Sequence, residues 1–481
     1  MVIMRGMVPA QPQNGLGIRC ESWAEAIVTL RLKVIEPATE KVLAELEEAS
    51  VEDADRAVAR ARAAYPAWKA VTPKDRANLL RRLAAAVEAN HEKLAQLEAR
   101  NAGKPISDAR GEVGMVVDVF NYYAGAPERL LGSTIPVAGG VDMTFREPLG
   151  VVGLIVPWNF PIAITSWKVG PALAAGNTIV LKPAALTPMT AVELGRIALE
   201  AGLPEGVLNV VVGAGRTVGE RLVQHPDVAK IAFTGSTEVG QRIGALAAAG
   251  IKRVTLELGG KSANIVFADA DLEKAAASAP MAVFGNAGQD CCARSRILVE
   301  QSAVERFMHA LETAVKAVRV GDPLDDSTEM GPLISAGHRA KVASYLDDGA
   351  IVAFRGSAPT GAGYWFAPTV LSPVAPSDRA AREEIFGPIV AIIPFRDEED
   401  AIRIANDTVY GLSGSIWTSN AGRAMRVARA LETGTISINS NNSVRVTTPF
   451  GGFKQSGIGR ELGPFALDHY TELKNVFLST T

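Results

Sequence analysis

Gly150–Asn159, GVVGLIVPWN, is the stretch on which the fold turns. Valine, leucine and isoleucine fill it and Pro157 ends it, which predicts a short strand buried on both faces. The same texture returns in NTIVLKP (177–183), GVLNVVVG (206–213), VAKIAFTG (228–235) and KRVTLEL (252–258). Helical stretches lie between these runs, such as TPMTAVELGRIALEAG (187–202) and STEVGQRIGALAAAG (236–250). Strand alternating with helix predicts a parallel sheet with helices on its faces. A second alternation starts at SANIVFADADLEKAAASA (262–279) and continues through GPIVAIIPF (387–395) and GTISIN (434–439). That predicts a second α/β domain, with the boundary near Glu257–Lys261.

Upstream of Gly150 the chain reads as helix. Ser50 followed by Asp53 is an N-cap with an acid in the first turn, opening a helix over 51–68. A second helix is predicted over 73–100, ending near Gly103, and a third over 111–131. PERLLGSTIPVAGGVDMTFREPLG (127–150) reads as a protruding hairpin turning at Ala138-Gly139-Gly140, and the tail YTELKNVFLSTT (470–481) as a strand. An apolar hairpin of this kind prefers a partner.

Composition narrows the function. The 481 residues carry a net charge of −3, with 48% hydrophobic and 21% charged residues, as in an ordinary soluble protein. No basic tract points to nucleic acid, and no apolar run reaches the length of a membrane span. The opening MVIMRGMVPAQPQNGLG lacks the layout of a secretory signal and reads as a loose extension, residues 1–24. Cys20, Cys291 and Cys292 cannot build a disulfide framework, which suits a reducing, cytoplasmic setting. Five scattered histidines and no CxxC give no zinc spacing, so no metal is expected.

Two glycine patterns follow predicted strands: GAGRTVG (213–219) and GSTEVG (235–240). Either lets backbone amides and a helix N-terminus approach a diphosphate, and a plain tight turn accounts for each as well. Neither is a full G-x-G-x-x-G, since Thr237 stands at the middle glycine of the second. Lys182 ends a strand, where ligands of open α/β sheets bind.

PWNFP (157–161), LKPAALTP (181–188), FTGSTEVG (233–240), LELGGKSANIV (256–266), NAGQDCCARSR (286–296), EEIFGPI (383–389) and PFGGFKQSGIGRE (449–461) occur in that order. With these motifs the chain resembles the aldehyde dehydrogenase superfamily, over nearly its whole length. The resemblance implies an α/β fold with a Rossmann-like cofactor domain over 25–125 and 148–257 and a catalytic domain over 258–445. It further implies a β-hairpin oligomerisation element, 126–147 with 446–481, building a homodimer or homotetramer.

The roles that follow are what the resemblance implies. Cys291, the cysteine of G-Q-x-C, is the nucleophile, and Cys292 is a small neighbour. Its thiolate attacks the aldehyde and gives a thiohemiacetal. Asn159 and the Cys291 N–H hold the oxyanion. Glu257 activates the water that hydrolyses the thioester, and Lys168 helps relay the proton. Pro157, Trp158, Lys182, Ala185, Gly215, Gly235, Ser236, Leu258, Glu384 and Phe386 are expected around NAD or NADP. Met115, Phe160, Ile164, Trp167, Gly285, Asp290, Val444 and Phe450 are expected along the substrate tunnel.

The sequence departs from the family in four places. NAD-preferring members carry Glu where this chain has Ala185, and Arg216 is expected near the adenosine end of the cofactor, so NADP is expected to be accepted beside NAD. Asp290 precedes the nucleophile; it either faces the substrate and attracts a cationic aminoaldehyde, or points away and is bound by Arg294 or Arg296. Gly285 and Val444 replace frequent aromatics, which implies a roomy tunnel, and Arg445 suits a carboxylated aldehyde. The first thirty residues do not match the family's opening strand pair, and IEPATEKVLAE is the first good match.

Two rivals stand beside a hydrolytic dehydrogenase. An acylating member would hand the thioester to coenzyme A, and such members lack the base at Glu257. A non-catalytic protein on the same fold would be expected to lose Cys291, Asn159 or Glu257, and all three are present.

Overall fold

Val151–Ile155 is a strand with every residue buried, parallel to Thr178–Lys182 on one side and to Val228–Thr234 on the other. It is the centre from which a six-stranded sheet grows in both directions. In the computed structural model, which describes residues 31–347, 349–442 and 444–481, the sheet runs Gly457–Ile458, Arg253–Glu257, Val228–Thr234, Val151–Ile155, Thr178–Lys182, Leu208–Val210. The chain steps outward to Leu208–Val210, then returns across Val151–Ile155 to build the other side. Such a reversal opens a crevice at the carboxyl ends of the strands. Pro157, Lys182, Gly235 and Glu257 all stand at those ends.

The second α/β alternation folds as a seven-stranded sheet. Its order is Val352–Arg355, Thr369–Leu371, Ile389–Phe395, Arg296–Glu300, Ala263–Val266, Ser413–Trp417, Thr435–Ile438. All neighbours are parallel except the first pair. One apolar cluster fills this sheet, and two others lie on the two faces of the six-stranded sheet.

The hairpin Thr134–Val137 and Gly140–Pro148 turns through Gly139 and is joined antiparallel by the tail strand Thr471–Ser479. Phe145, Leu473 and Phe477 are exposed on it. The stretch 446–481, which the sequence groups with the hairpin as one piece, divides here. Gly457–Ile458 pairs with Arg253–Glu257 in the six-stranded sheet, and Thr471–Ser479 joins the hairpin.

The helical region differs from the sequence reading in its breaks. Ser50 and Asp53 form a reciprocal capping box on the helix Val51–Ala70, a cap whose loss costs about 1 kcal/mol. The single helix expected over 73–100 is two, Pro73–Ala89 and His91–Ala102. Asn90 makes the break, because its side-chain amide donates to the Ala86 carbonyl at 2.8 Å. The next helix, Ile106–Ala124, starts earlier than expected and stops at Gly125, two residues before Pro127. The strand pair Arg31–Glu36 and Lys41–Glu47 precedes all of these. The extension 1–24 and Cys20 lie outside the described residues.

Candidate active site

The nucleophile candidate sits after a left-handed turn. The helix Leu272–Phe284 ends at Gly285, and Asn286 (φ 51°), Ala287 (φ 55°) and Gly288 (φ 69°) then carry the chain to Gln289. Two non-glycine residues in this region mark strain held by the surroundings. Gln289 is what holds it. Its Oε1 accepts the Ile334 N–H at 2.8 Å and its Nε2 donates to the Asn286 carbonyl at 3.0 Å. Gly260 lets the nucleophile segment close in: a Cβ there would stand 2.2 Å from the Cys291 carbonyl oxygen. This explains the second glycine of LELGGKS.

Asp290, Cys291 and Cys292 place their ligand-capable atoms within 4.8 Å of one another. Asp290 Oδ1 accepts the Cys292 N–H at 2.8 Å. The hydrogen bond to Cys292 and burial push the Cys291 thiol well up, and the Asp290 charge adds to this. The nucleophile therefore needs a base. Asp290 itself is raised by burial. Arg296 spends its guanidinium on the carbonyls of Lys261, Ile404 and Ala405, at 3.0, 3.0 and 2.9 Å. Arg294 donates to the Cys292 and Gly414 carbonyls and the Ser415 hydroxyl, and acts on Asp290 through its charge.

Asn159 comes from the loop after Val151–Ile155, just before Pro161 opens the helix Pro161–Ala175. Its Nδ2 donates one hydrogen to the Gln289 carbonyl at 2.9 Å. An amide nitrogen has two, so one remains for a ligand. Its own main-chain carbonyl accepts from Asn286 Nδ2 and from Lys104 Nζ, each at 2.9 Å.

Glu257 ends its strand fully buried, and neither carboxylate oxygen has a hydrogen-bond partner among the described residues. Burial raises it well above the usual carboxylate range, Glu461 raises it further, and Lys168 and Arg460 pull it back. Lys168, on the helix Pro161–Ala175, bonds Glu461 Oε1 at 2.6 Å, and both side chains are buried. A backbone pair fixes Glu461 against Phe450, at 2.8 and 2.7 Å. Glu461 is the last letter of PFGGFKQSGIGRE, and nothing in that motif assigns it a role.

A cavity of about 1050 Å³ lies at the carboxyl ends of the five parallel strands. Sites for small ligands run to about 1,000 Å³, so this one has room for an extended dinucleotide. Cys291 and Asn159 border it, as do Pro157, Trp158, Lys182, Gly215, Gly235, Ser236, Leu258, Glu384 and Phe386. Ala185 does not; the wall there is Ala184, the chain having turned away beyond Pro183. Ser236 caps the helix Thr237–Ala249, whose N-terminus faces the cavity and suits a phosphate. Burial lowers Lys182 to about 8. Glu384 Oε1 accepts the Gly260 N–H at 2.8 Å, and a Cβ on Gly259 would meet the same carboxylate at 2.5 Å. Arg216 is exposed on the rim. His338 and Lys341 also line the cavity and had no motif to reveal them; His338 bonds the Phe386 carbonyl at 2.7 Å and packs edge-on to Trp158.

On the far side of the nucleophile, Ile164, Trp167, Phe450 and Cys292 belong to one apolar cluster, with Met115, Phe160, Val444 and Cys291 packed against it. Trp167 and Phe450 meet edge-to-face at 5.4 Å. A Cβ on Gly285 would meet nothing within 4 Å. Met115, Val444 and Arg445 border a second cavity of about 500 Å³, together with Glu88 and Asp118. Among the described residues no helix is long and apolar enough to cross a membrane.

The sequence profile described as "Aldehyde dehydrogenase family" matches residues 23–476. An aldehyde dehydrogenase of Emericella nidulans is 44% identical over 451 residues, 92% of this chain and 91% of that one. Betaine aldehyde dehydrogenase of Bacillus subtilis is 40% identical over 470 residues, covering 95% and 96%. Among solved structures, the NAD+ complex of an aldehyde dehydrogenase from Bacillus cereus superposes with a TM-score of 0.92 at 44% identity, over 94% of each chain. Betaine aldehyde dehydrogenase of Staphylococcus aureus with NAD+ gives 0.92 at 38% identity, over 96% of this chain and 94% of that one.

Proposed function

The chain belongs to the aldehyde dehydrogenase family and is an NAD(P)-dependent aldehyde oxidoreductase, and from that premise we propose a hydrolytic route carried by Cys291, Asn159 and Glu257. Glu257 takes the thiol proton, since the surroundings of Cys291 favour the protonated thiol. The Cys291 thiolate then adds to the aldehyde carbon. The second N–H of the Asn159 amide and the Cys291 N–H receive the oxygen as it becomes anionic. NAD(P), when bound in the large cavity, supplies the hydride acceptor that turns the thiohemiacetal into a thioester. Glu257 passes that first proton on by way of Lys168 and Glu461 and, ionised again, takes a proton from water as the water attacks the thioester carbon. The C–S bond breaks, the thiolate takes the proton back from Glu257, and carboxylic acid and free thiol result.

One observation carries the hydrolytic reading: a buried carboxylate with no hydrogen-bond partner among the described residues, set against a buried ion pair, at the strand end beside the nucleophile segment. That is a base placed to take water rather than a structural ion pair. The test follows NAD(P)H at 340 nm over acetaldehyde, a long alkyl aldehyde, benzaldehyde, an aminoaldehyde and succinic semialdehyde. Carboxylic acid should form without coenzyme A. Cys291→Ala should abolish turnover, and Glu257→Gln should release one burst of NAD(P)H and stall as an acyl-enzyme. A requirement for coenzyme A would reject hydrolysis.

The finer assignments belong to the same proposal. The exposed rim position of Arg216 supports acceptance of NADP beside NAD. Pro157, Trp158, Lys182, Gly215, Gly235, Ser236, Leu258, Glu384 and Phe386 hold the cofactor, and no metal takes part. Residues 25–125 with 148–257 form the cofactor domain and 258–445 the catalytic domain. The exposed apolar residues of the hairpin and tail strand support a homodimer or homotetramer, and a cytoplasmic setting is part of the same proposal.

A further inference from the structure

We propose that Lys104 is the positioning residue of the oxyanion site, acting through the main chain of Asn159 with Glu98 and Glu112 as its anchors. The inference rests on the reading of Asn159 as oxyanion donor and goes beyond it.

Lys104 follows Gly103, whose left-handed conformation (φ 79°) ends the helix His91–Ala102. The side chain is completely buried. An ammonium in such a place is costly unless every donor is used. One donor goes to the Asn159 carbonyl at 2.9 Å and another to Glu112; Glu98 Oε1 lies 4.0 Å away. The Phe160 ring centre is 4.4 Å from Nζ. Lys104 thus touches two consecutive residues, the proposed oxyanion donor and a wall of the proposed tunnel.

Glu98 grips the same loop further on. Its Oε1 accepts the Ile162 N–H at 3.1 Å and its Oε2 the Thr190 hydroxyl at 2.6 Å. Lys104 and Glu98 therefore clamp the loop at the carbonyl of 159 and the amide of 162. On the opposite side, Asn286 holds the same carbonyl and Gln289 receives the Asn159 amide. The aim of the remaining amide hydrogen is set by these contacts, because Lys104 and Asn286 hold the Asn159 main chain while the Gln289 carbonyl holds its Nδ2.

A buried ion cluster adds little to stability, and apolar residues of the same shape often serve as well. Here Glu112 Oε2 has no partner among the described residues, and burial pushes that carboxyl up to about 8. The cluster is poorly built as a core element and well built as a clamp on Asn159.

A double-mutant cycle with Lys104→Met and Asn159→Ala decides the matter, read by aldehyde oxidation and by cofactor-free hydrolysis of 4-nitrophenyl acetate. The ester reaction needs the nucleophile and the oxyanion donors but no hydride acceptor. Asn159→Ala should slow both about 100-fold. Lys104→Met should slow both about tenfold, leaving the KM for NAD and the rate of Cys291 alkylation by iodoacetamide within about twofold, and its effect should vanish in the Asn159→Ala background. An equal loss in both backgrounds would show a merely structural residue and overturn the proposal. No loss in Asn159→Ala alone would instead sink the oxyanion reading beneath it. Should Lys104→Met fail to fold, the same cycle is run with Glu112→Gln, which should cost about threefold and again only when Asn159 is present. A threefold cost that persists without Asn159 would overturn the proposal in the same way.

Discussion

Lys168 Nζ lies 2.6 Å from Glu461 Oε1, with both side chains buried and Glu257 coupled electrostatically to the pair. The two partners act on Glu257 with opposite sign. Glu257 works as a base only when ionised, so turnover should rise with pH through its elevated folded value. Lys168→Met removes a charge that lowers that value and should move the acidic limb of kcat up by about one pH unit. Glu461→Gln removes one that raises it and should move the limb down. A pH profile with limbs unmoved, or moved in the same direction, would separate the pair from the base.

Stability should carry the same signature. The folded value of Glu257 lies above the ordinary 4.5, so the folded state binds the proton more tightly than the unfolded one. Stability is then lost as pH rises from about 4.5 toward the folded value. Glu257→Gln should accordingly melt higher than the wild type, with a Tm gain of about 2–4 °C at pH 8 and a smaller gain at pH 5. Equal gains at both pH values would mean the carboxyl does not titrate in this range.

Asp290 raises the Cys291 thiol by its charge while its Oδ1 holds the Cys292 N–H. Asp290→Asn keeps the acceptor and removes the charge. The thiolate fraction at neutral pH should grow, and alkylation by iodoacetamide at pH 7 should quicken about three- to tenfold. Oxidation of an aminoaldehyde should change little relative to acetaldehyde. A selective loss on the aminoaldehyde would instead make Asp290 a substrate contact.

Lys182 is charged below about 8 and neutral above it. Cofactor KM should therefore rise as pH passes about 8, and Lys182→Met should flatten that rise. Arg216→Ala should raise the KM for NADP about tenfold, the loss of one charge-assisted hydrogen bond, and leave that for NAD unchanged. Equal effects on both cofactors would remove Arg216 from the 2′-phosphate.

Gly285 has a backbone that any residue can adopt (φ −48°) and open space where a side chain would go. Gly285→Phe should fill it, lowering kcat/KM for benzaldehyde and the long alkyl aldehyde by about tenfold or more while sparing acetaldehyde. A uniform loss would mean that the space is not part of the tunnel.

The parallel sheets are legible because buried strands are written as unbroken apolar runs, and the residues at their ends come with them. Short motifs then gather nearly all the cavity wall. Contacts made at long sequence separation leave no such mark. Lys104 looks like any lysine after a helix, yet its partner Asn159 is in a loop after the central strand. Glu461 is in plain view, but only the fold shows that Lys168 is its partner. Asn90 reads as helix interior, because its competing side-chain bond to Ala86 is a local choice that periodicity does not encode. Ala185 and Ala184 are indistinguishable by pattern, and a turn after Pro183 decides which one faces the cavity.

The run from Gly457 to Ser479 laces two sheets, pairing first with Arg253–Glu257 and then with Gly140–Pro148, and it carries Glu461 between the two stitches. A cut or bulky fusion in the tail strand pulls on a thread whose other end is knotted beside Glu257. If Glu257 activates water as proposed, a shortened C-terminus is expected to be a chemical lesion as much as a loss of surface.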